Sequence, residues 1–207
     1  MSTLQIMSFN IRGAGNFSKR RKLFHYLHKK QTDVILLQET HSETEVERIW
    51  NAEWGEKMLF SHGSANSKGV AILFKRKLKV EVVNHIADPE GRYIIANLKI
   101  KGNHNTIVNV CGPYTDQPSF WCTLFDHISE NSCENVIIGG DYNTVLNPTI
   151  DWSSRGTDAI SKSAVQILEC AELFDYIDVW REKNPDTQMY TWVRYNPSPV
   201  FSRLDYF

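Results

Sequence analysis

Asn10, Glu39, Asp141 and Asp205 each stand directly after an apolar run, and Asn143 and Tyr114 follow two such runs by a few residues. The runs are Leu4 to Phe9, Val34 to Gln38, Val136 to Gly140, Ser202 to Leu204, and Ile107 to Val110 leading through Gly112-Pro113 to Tyr114. Carboxylate, amide and phenol groups at strand ends can converge on one sheet edge, where a divalent cation and an anionic ligand both fit. Phosphodiester hydrolysis needs such a set. It requires charge neutralisation on the phosphate, a hydroxide-like nucleophile and a stabilised leaving oxygen. Glu39, between an apolar strand and a helix, suits a direct ligand of Mg²⁺ or Mn²⁺; otherwise it is an acid that favours the helix dipole. Asp141, behind Gly139-Gly140, suits a general base for the attacking water, or else closes a tight turn with an Asx bond. Asn143 offers an uncharged donor to a phosphoryl oxygen and Tyr114 a phenol, and either can equally be structural.

These groups need strands and helices to hold them. The spacing of Leu23, Phe24 and Leu27 predicts a helix from Ser18 to Lys30. Ser42-Glu43-Thr44-Glu45 reads as a capping box before a second helix whose apolar face is Val46, Ile49 and Trp50. Short strands are expected over Lys57 to Phe60, Gly69 to Phe74, Leu78 to Ile86, Arg92 to Ile100 and Asn105 to Val110, with Lys101 to His104 as a hairpin turn. Two further helices are expected over Pro118 to Ser129 and Ser161 to Phe174, the latter with Val165, Leu168 and Leu173 inward. Helices alternating with strands, hairpins among them, favour α/β architecture with mixed sheets. Runs that do not alternate with polar residues favour two sheets packed face to face.

With 207 residues, 42% of them hydrophobic, and no linker or repeat, the chain reads as one domain, residues 1–207. It shows no apolar run long enough to span a bilayer and no signal-peptide pattern, which predicts a soluble, non-secreted protein. Cys111, Cys122, Cys133 and Cys170 lack CxxC pairing and read as reduced, mostly buried thiols. The net charge of −1 conceals an asymmetry: residues 1–32 carry seven basic side chains and no acid, while Asp33 to Glu56 holds seven acids against Arg48 alone. The basic segment, with Lys19 and Arg20 at its centre, either meets a polyanion's backbone or is a solvated helix face.

Seven segments together carry a resemblance: Ser8 to Gly13, Leu37 to Thr40, Lys68 to Leu73, Val110 to Tyr114, Gly139 to Asn143, Tyr190 to Trp192 and Ser202 to Tyr206. They resemble the endonuclease/exonuclease/phosphatase superfamily, and within it the apurinic-type endonuclease domains that begin non-LTR (LINE-type) retrotransposon polyproteins. The resemblance implies a four-layer α/β sandwich that binds Mg²⁺ and nicks one DNA strand, leaving a 3′ hydroxyl to prime reverse transcription. By the same resemblance Asn10 and Glu39 lie at the metal, Asp141 and Asn143 at the nucleophile and phosphate, and Tyr114 at the phosphate. Thr191 and Ser202 lie beside the DNA backbone, and Arg155 falls in a phosphate-contacting loop. Arg194 to Phe201, including Tyr195, matches a hairpin loop that senses the minor groove by shape. Double-stranded DNA, a fused reverse transcriptase and action in the nucleus after cytoplasmic synthesis follow as expectations.

The superfamily also ends in a further strand with a Ser-Asp-His motif, whose His Asp205 is expected to orient. The last histidine here is His127. The expectation is therefore the N-terminal part of a longer polypeptide, or a copy that has lost competence. The alternatives are a repair-type abasic-site endonuclease or other phosphoesterase of the superfamily, and a non-catalytic DNA-binding or structural remnant.

Overall fold

Val34–Gln38 and Val70–Phe74 are buried at every residue, which a strand achieves only when both its faces are covered. The computed structural model describes residues 3–133, 135–153, 159–195 and 198–207. They gather in two compact units, one of Met1–Cys111 and Ser132–Asp141, the other of Gly112–Asn131 and Tyr142–Phe207.

The first unit contains β1 (Ile6–Asn10), α1 (Phe17–Lys29), β2 (Val34–Gln38), α2 (Glu47–Trp54), β3 (Met58–Ser61), β4 (Val70–Phe74), β5 (Val80–Ala87), β6 (Tyr93–Ile100), β7 (Asn103–Cys111) and β8 (Val136–Asp141). One sheet has the order β1-β2-β4-β3, and β8, β7, β6 and β5 lie in that order in a second. Each sheet has a single parallel pair in this unit, β1 with β2 and β7 with β8, and its other pairs are antiparallel. The parallel pairs matter most for function. They bring Asn10 beside Gln38, and Cys111 beside Asp141, at matching carboxyl ends.

The two sheets pack face to face, β1 against β8 and β2 against β7, as the sequence predicts. A buried polar cluster joins them. Gln38 Nε2 donates to Asn109 Oδ1 at 2.6 Å, and Asn109 Nδ2 donates to the carbonyls of Leu37 and Ala71, each at 2.9 Å. Both side chains are fully buried, so each bond satisfies a group that water cannot reach.

On the outer face of the first sheet, Phe24 and Leu27 of α1 and Trp50 and Trp54 of α2 close over Ile35, Leu37 and Leu73. The Ser42 capping box does not form. A 3₁₀ turn at Thr44–Val46 precedes α2, and Ser42 Oγ instead pairs with Thr40 Oγ1 at 2.9 Å and His62 Nδ1 at 3.1 Å. Ile49 is 53% exposed, because Trp54, one turn beyond Trp50, takes the inward position expected of it. The hairpin between β6 and β7 turns in two residues, not four. Lys101 and Gly102 have φ of +53° and +88°, so Asn103 and His104 belong to the strand.

The second unit contains α3 (Pro118–Asn131), α4 (Pro148–Asp151), α5 (Lys162–Leu173), α6 (Val179–Lys183), β9 (Trp192–Arg194), β10 (Val200–Ser202) and β11 (Asp205–Tyr206). β9 and β10 form an antiparallel hairpin, and α3 packs on α5. The expected inward face of α5 is the wrong one. Val165, Leu168 and Leu173 are exposed, while Ser163, Ala164, Ile167 and Cys170 are buried, since small side chains allow close helix packing. The expected strand Ser202 to Leu204 is also broken, because Arg203 turns inward to a charge cluster. Its guanidinium meets Asp151 and Asp178 and lies 5.0 Å from the Trp180 ring centroid, and Arg181 also pairs with Asp151.

Two outcomes test this architecture. Asn109→Ala leaves two carbonyls and the Gln38 amide buried without their partner, each orphan costing about 1–3 kcal/mol, so urea denaturation is expected to lose about 3 kcal/mol. The second concerns Glu53, held below its ordinary value of 4.5 by the hydrogen bonds from Arg20. A depressed carboxylate stabilises the fold above its unfolded value, so this contribution is whole above about pH 4.5 and disappears as pH falls through the lower folded value. Glu53→Gln is expected to flatten that part of the acid limb in a pH series of thermal midpoints.

Candidate active site

The first unit assembles Asn10, Glu39 and Asp141 through hydrogen bonds. Asn10 Nδ2 donates to Glu39 Oε1 at 2.8 Å and to Asp141 Oδ2 at 2.9 Å. Its Oδ1 accepts from the Arg12 backbone N–H at 3.1 Å. The amide thus clasps two carboxylates that would otherwise repel one another, and presents its nitrogen to both. Its oxygen meets the Arg12 backbone and its nitrogen the two carboxylates, so the side chain stands directly beside Glu39, where the expectation places the metal.

Backbone geometry sets the clasp. Glu39 adopts φ +51°, a left-handed conformation unfavourable for a side chain with a Cβ, directly after β2. Gly13 N–H donates to its carbonyl at 2.6 Å, and the neighbouring Thr40 N–H donates to the Gly69 carbonyl at 2.9 Å. Such strain persists where surrounding bonds over-determine it. Asp141 ends β8, and Gly140 before it has φ +147°, where a Cβ would meet the Val110 carbonyl oxygen at 2.0 Å. The glycine is therefore demanded by the approach of β7. Burial, with Asp141 nearby, pushes the neighbouring Cys111 thiol up to about 12, which fits the expected inert thiol. His41 was not found by sequence reasoning: its Nε2 stands 3.9 Å from Glu39 Oε2. Its only signal was its position two residues after Glu39.

The second unit carries the remaining candidates around a groove of about 460 Å³, lined by Tyr114, Asn143, Trp152, Trp192, Ser202 and Leu204 among others. Asn143 also has a positive φ, +49°, and its Nδ2 donates to the Gly112 carbonyl at 2.9 Å. Tyr114 is 66% exposed. Ser202 is buried at the end of the β9–β10 hairpin, paired with Trp192 on one side and bridged to Trp152 on the other. Thr191 Oγ1 accepts from the backbone N–H groups of Leu204 and Asp205 at 3.0 and 3.2 Å, so it shapes the bend before β11. Asp205 is half-buried at the start of β11, and Tyr195 is exposed beyond β9. Arg155 lies outside the described residues, as do 196–197 of the hairpin loop.

Arg20 is held within the fold, whereas Lys19 remains exposed. Arg20 is buried, forks onto Glu53, donates to the carbonyls of Ala14 and Gly15, and lies 5.1 Å from the Trp50 ring centroid. Lys19 Nζ donates to the carbonyls of Ile11 and Arg12. Both help to fix the loop after β1; the burial of Arg20 corrects the expectation that it meets DNA, and Lys19 keeps its place at the surface.

Glu39 and Asp141 are hard oxygen donors suited to Mg²⁺ or Mn²⁺. Mg²⁺ is held by one or two carboxylates together with waters and phosphate oxygens, and does not need a protein cage. Accordingly, no three of His, Cys, Asp and Glu gather as a ligand cluster among the described residues. No described helix is long and apolar enough to cross a membrane.

Comparison with known proteins agrees with this geometry. The sequence model of the Endonuclease/Exonuclease/phosphatase family matches residues 7–207. The transposon TX1 uncharacterized 149 kDa protein of Xenopus laevis is 32% identical over 207 residues, covering 98% of this chain but only 16% of that protein. The AP endonuclease LMAP of Leishmania major aligns with a TM-score of 0.77 at 18% identity, over 99% of this chain and 78% of the other. The endonuclease domain of TRAS1, a telomere-specific non-LTR retrotransposon, aligns with a TM-score of 0.61 at 12% identity, over 99% and 84%. At those identities the two structures share a fold with this chain.

A cation that joins the clasped carboxylates stabilises the folded state by mass action, about 2.7 kcal/mol at a hundredfold excess over Kd. Mg²⁺ or Mn²⁺ is expected to raise the thermal midpoint in scanning fluorimetry, and Glu39→Gln to abolish that rise while leaving the metal-free stability within about 1 kcal/mol of the parent.

Proposed function

The chain belongs to the Endonuclease/Exonuclease/phosphatase family, and on that premise we propose that it is a Mg²⁺- or Mn²⁺-dependent DNA endonuclease of retrotransposon type. It nicks one strand of a duplex and leaves a 3′ hydroxyl from which reverse transcription starts. The observation that carries the reading is the Asn10 clasp on Glu39 and Asp141 at paired strand ends. The relation to a transposon protein supports the biological setting.

Glu39 holds the cation, which when bound neutralises charge on the scissile phosphate. Asp141 accepts the proton of the attacking water, and the Asn10 amide keeps its carboxylate aimed. Asn143 and Tyr114 donate to phosphoryl oxygens, a role a preorganised amide or phenol performs without competing for the metal. Ser202 and Thr191 shape the groove along which the DNA backbone runs. Tyr195, on the exposed hairpin, reads the shape of the minor groove. The length of the Xenopus protein, of which the matching part is 16%, supports a domain within a longer polypeptide; a fused reverse transcriptase and action in the nucleus belong to the same proposal.

Supercoiled plasmid, an abasic duplex and an inositol phosphate offered in parallel with Mg²⁺ test the reading. Plasmid is expected to relax to nicked circles whose ends a polymerase extends, and Glu39→Ala to lower that rate at least about a hundredfold with circular dichroism unchanged. Nicking by Glu39→Ala at the parent rate would remove the metal assignment. Cleavage confined to the abasic duplex or to the inositol phosphate would move the protein to another branch of the family.

A further inference from the structure

The outer face of α1 displays an aromatic and cationic surface that neither the fold nor the proposed site uses. Leu23, Phe24 and Leu27 turn toward the first sheet, but Tyr26 on the opposite face is 44% exposed. Phe9, on the edge strand β1, is 39% exposed, and its ring centroid lies 6.3 Å from that of Tyr26 at an interplanar angle of 44°. Lys30 Nζ sits 4.5 Å from the Tyr26 ring centroid. Lys22 and Tyr26, four residues apart, share one helix stripe, and Lys30 follows as the extended residue that ends the helix.

Charge points the same way. Of the seven basic residues in 1–32, Lys19 and Arg20 are consumed by the loop after β1. Arg21, Lys22, Lys29 and Lys30 are exposed, and no salt bridge among the described residues engages them. A carboxylate-bearing partner would find no donor geometry built for it here, only rings beside mobile ammonium groups. Rings inside a cationic field suit a polyanion whose bases are open to stacking, as they are in a single strand and are not in a duplex.

We propose that the Phe9–Tyr26 face of α1 and β1 binds single-stranded DNA, such as an end that frays from the duplex at a nick. Phe9 directly precedes Asn10 in β1, so the platform shares a strand with the clasp but projects from its opposite face. The choice of strand rests on the endonuclease reading; the binding chemistry rests on the rings and cations alone. Phosphates meet Lys22, Lys29 and Lys30 while bases stack on Tyr26 and Phe9, which holds the nicked end near the site for extension.

The test is fluorescence anisotropy of a labelled oligo(dT) strand with the intact chain in EDTA, so that binding is read without turnover. Tyr26→Ala is expected to weaken binding about tenfold and Tyr26→Phe to restore it, since stacking needs the ring and not the hydroxyl. The double variant Lys22→Gln/Lys30→Gln is expected to lower the slope of log K against log salt by about 1.4, or 0.7 per cation. Parent-like affinity of Tyr26→Ala, an equal loss for a duplex of the same length, or tighter binding of oligo(U) than of oligo(dT) would each overturn the proposal. Should plasmid nicking be absent while the Tyr26-dependent binding persists, the endonuclease reading fails and the stacking surface does not.

Discussion

The two sheets of the first unit are joined by a pair of amides, Gln38 and Asn109, and the position of the carboxylates depends on that joint. Apolar packing alone would let two flat sheets slide past each other at small cost, because dispersion has little direction. Hydrogen bonds from Asn109 to the carbonyls of Leu37 and Ala71 allow one registry only. Gln38 is the residue before Glu39, and Asn109 pairs with Gly139, two residues before Asp141. A buried polar joint therefore sets the separation that the Asn10 amide then spans. The site inherits its precision from the core.

Much of the first unit was legible from the pattern of apolar runs. β2 and β4 announce themselves because they are covered on both faces, β1, β6 and β8 because they are largely apolar runs, and Asn10, Glu39 and Asp141 because they end such runs. What the pattern could not show was the direction of individual polar groups. Asn10 reads in sequence only as a polar residue at a strand end; that its amide spans Glu39 and Asp141 while its oxygen accepts from the Arg12 backbone is visible in the fold alone. The same holds for α5, where Val165, Leu168 and Leu173 form as good an apolar stripe as the buried one, and helix packing chose the smaller side chains. The ionic cluster around Arg203 was invisible, since its members Asp151, Asp178 and Arg181 are scattered through turns and short helices.

Long cations serve as ties throughout. Arg20 satisfies the carbonyls of Ala14 and Gly15, and Lys75 those of Leu27, His28 and Lys30 at the end of α1. In the second unit Arg181 reaches the carbonyls of Asn184, Pro185 and Thr187 while pairing with Asp151. Each brings several donors to carbonyls at helix ends and in loops, which a neutral side chain of similar volume could not do. Counting basic residues along the chain consequently overstates the charge left for a nucleic acid.

Glu39 and Asn143 share one property. Both stand on left-handed backbone, where glycine is the more comfortable residue by about 1 kcal/mol. A glycine at either position would relax the chain and at the same time remove a side chain that is already bonded, Glu39 to the Asn10 amide and Asn143 to the Gly112 carbonyl. Backbone comfort and side-chain bonding pull in opposite directions at both places.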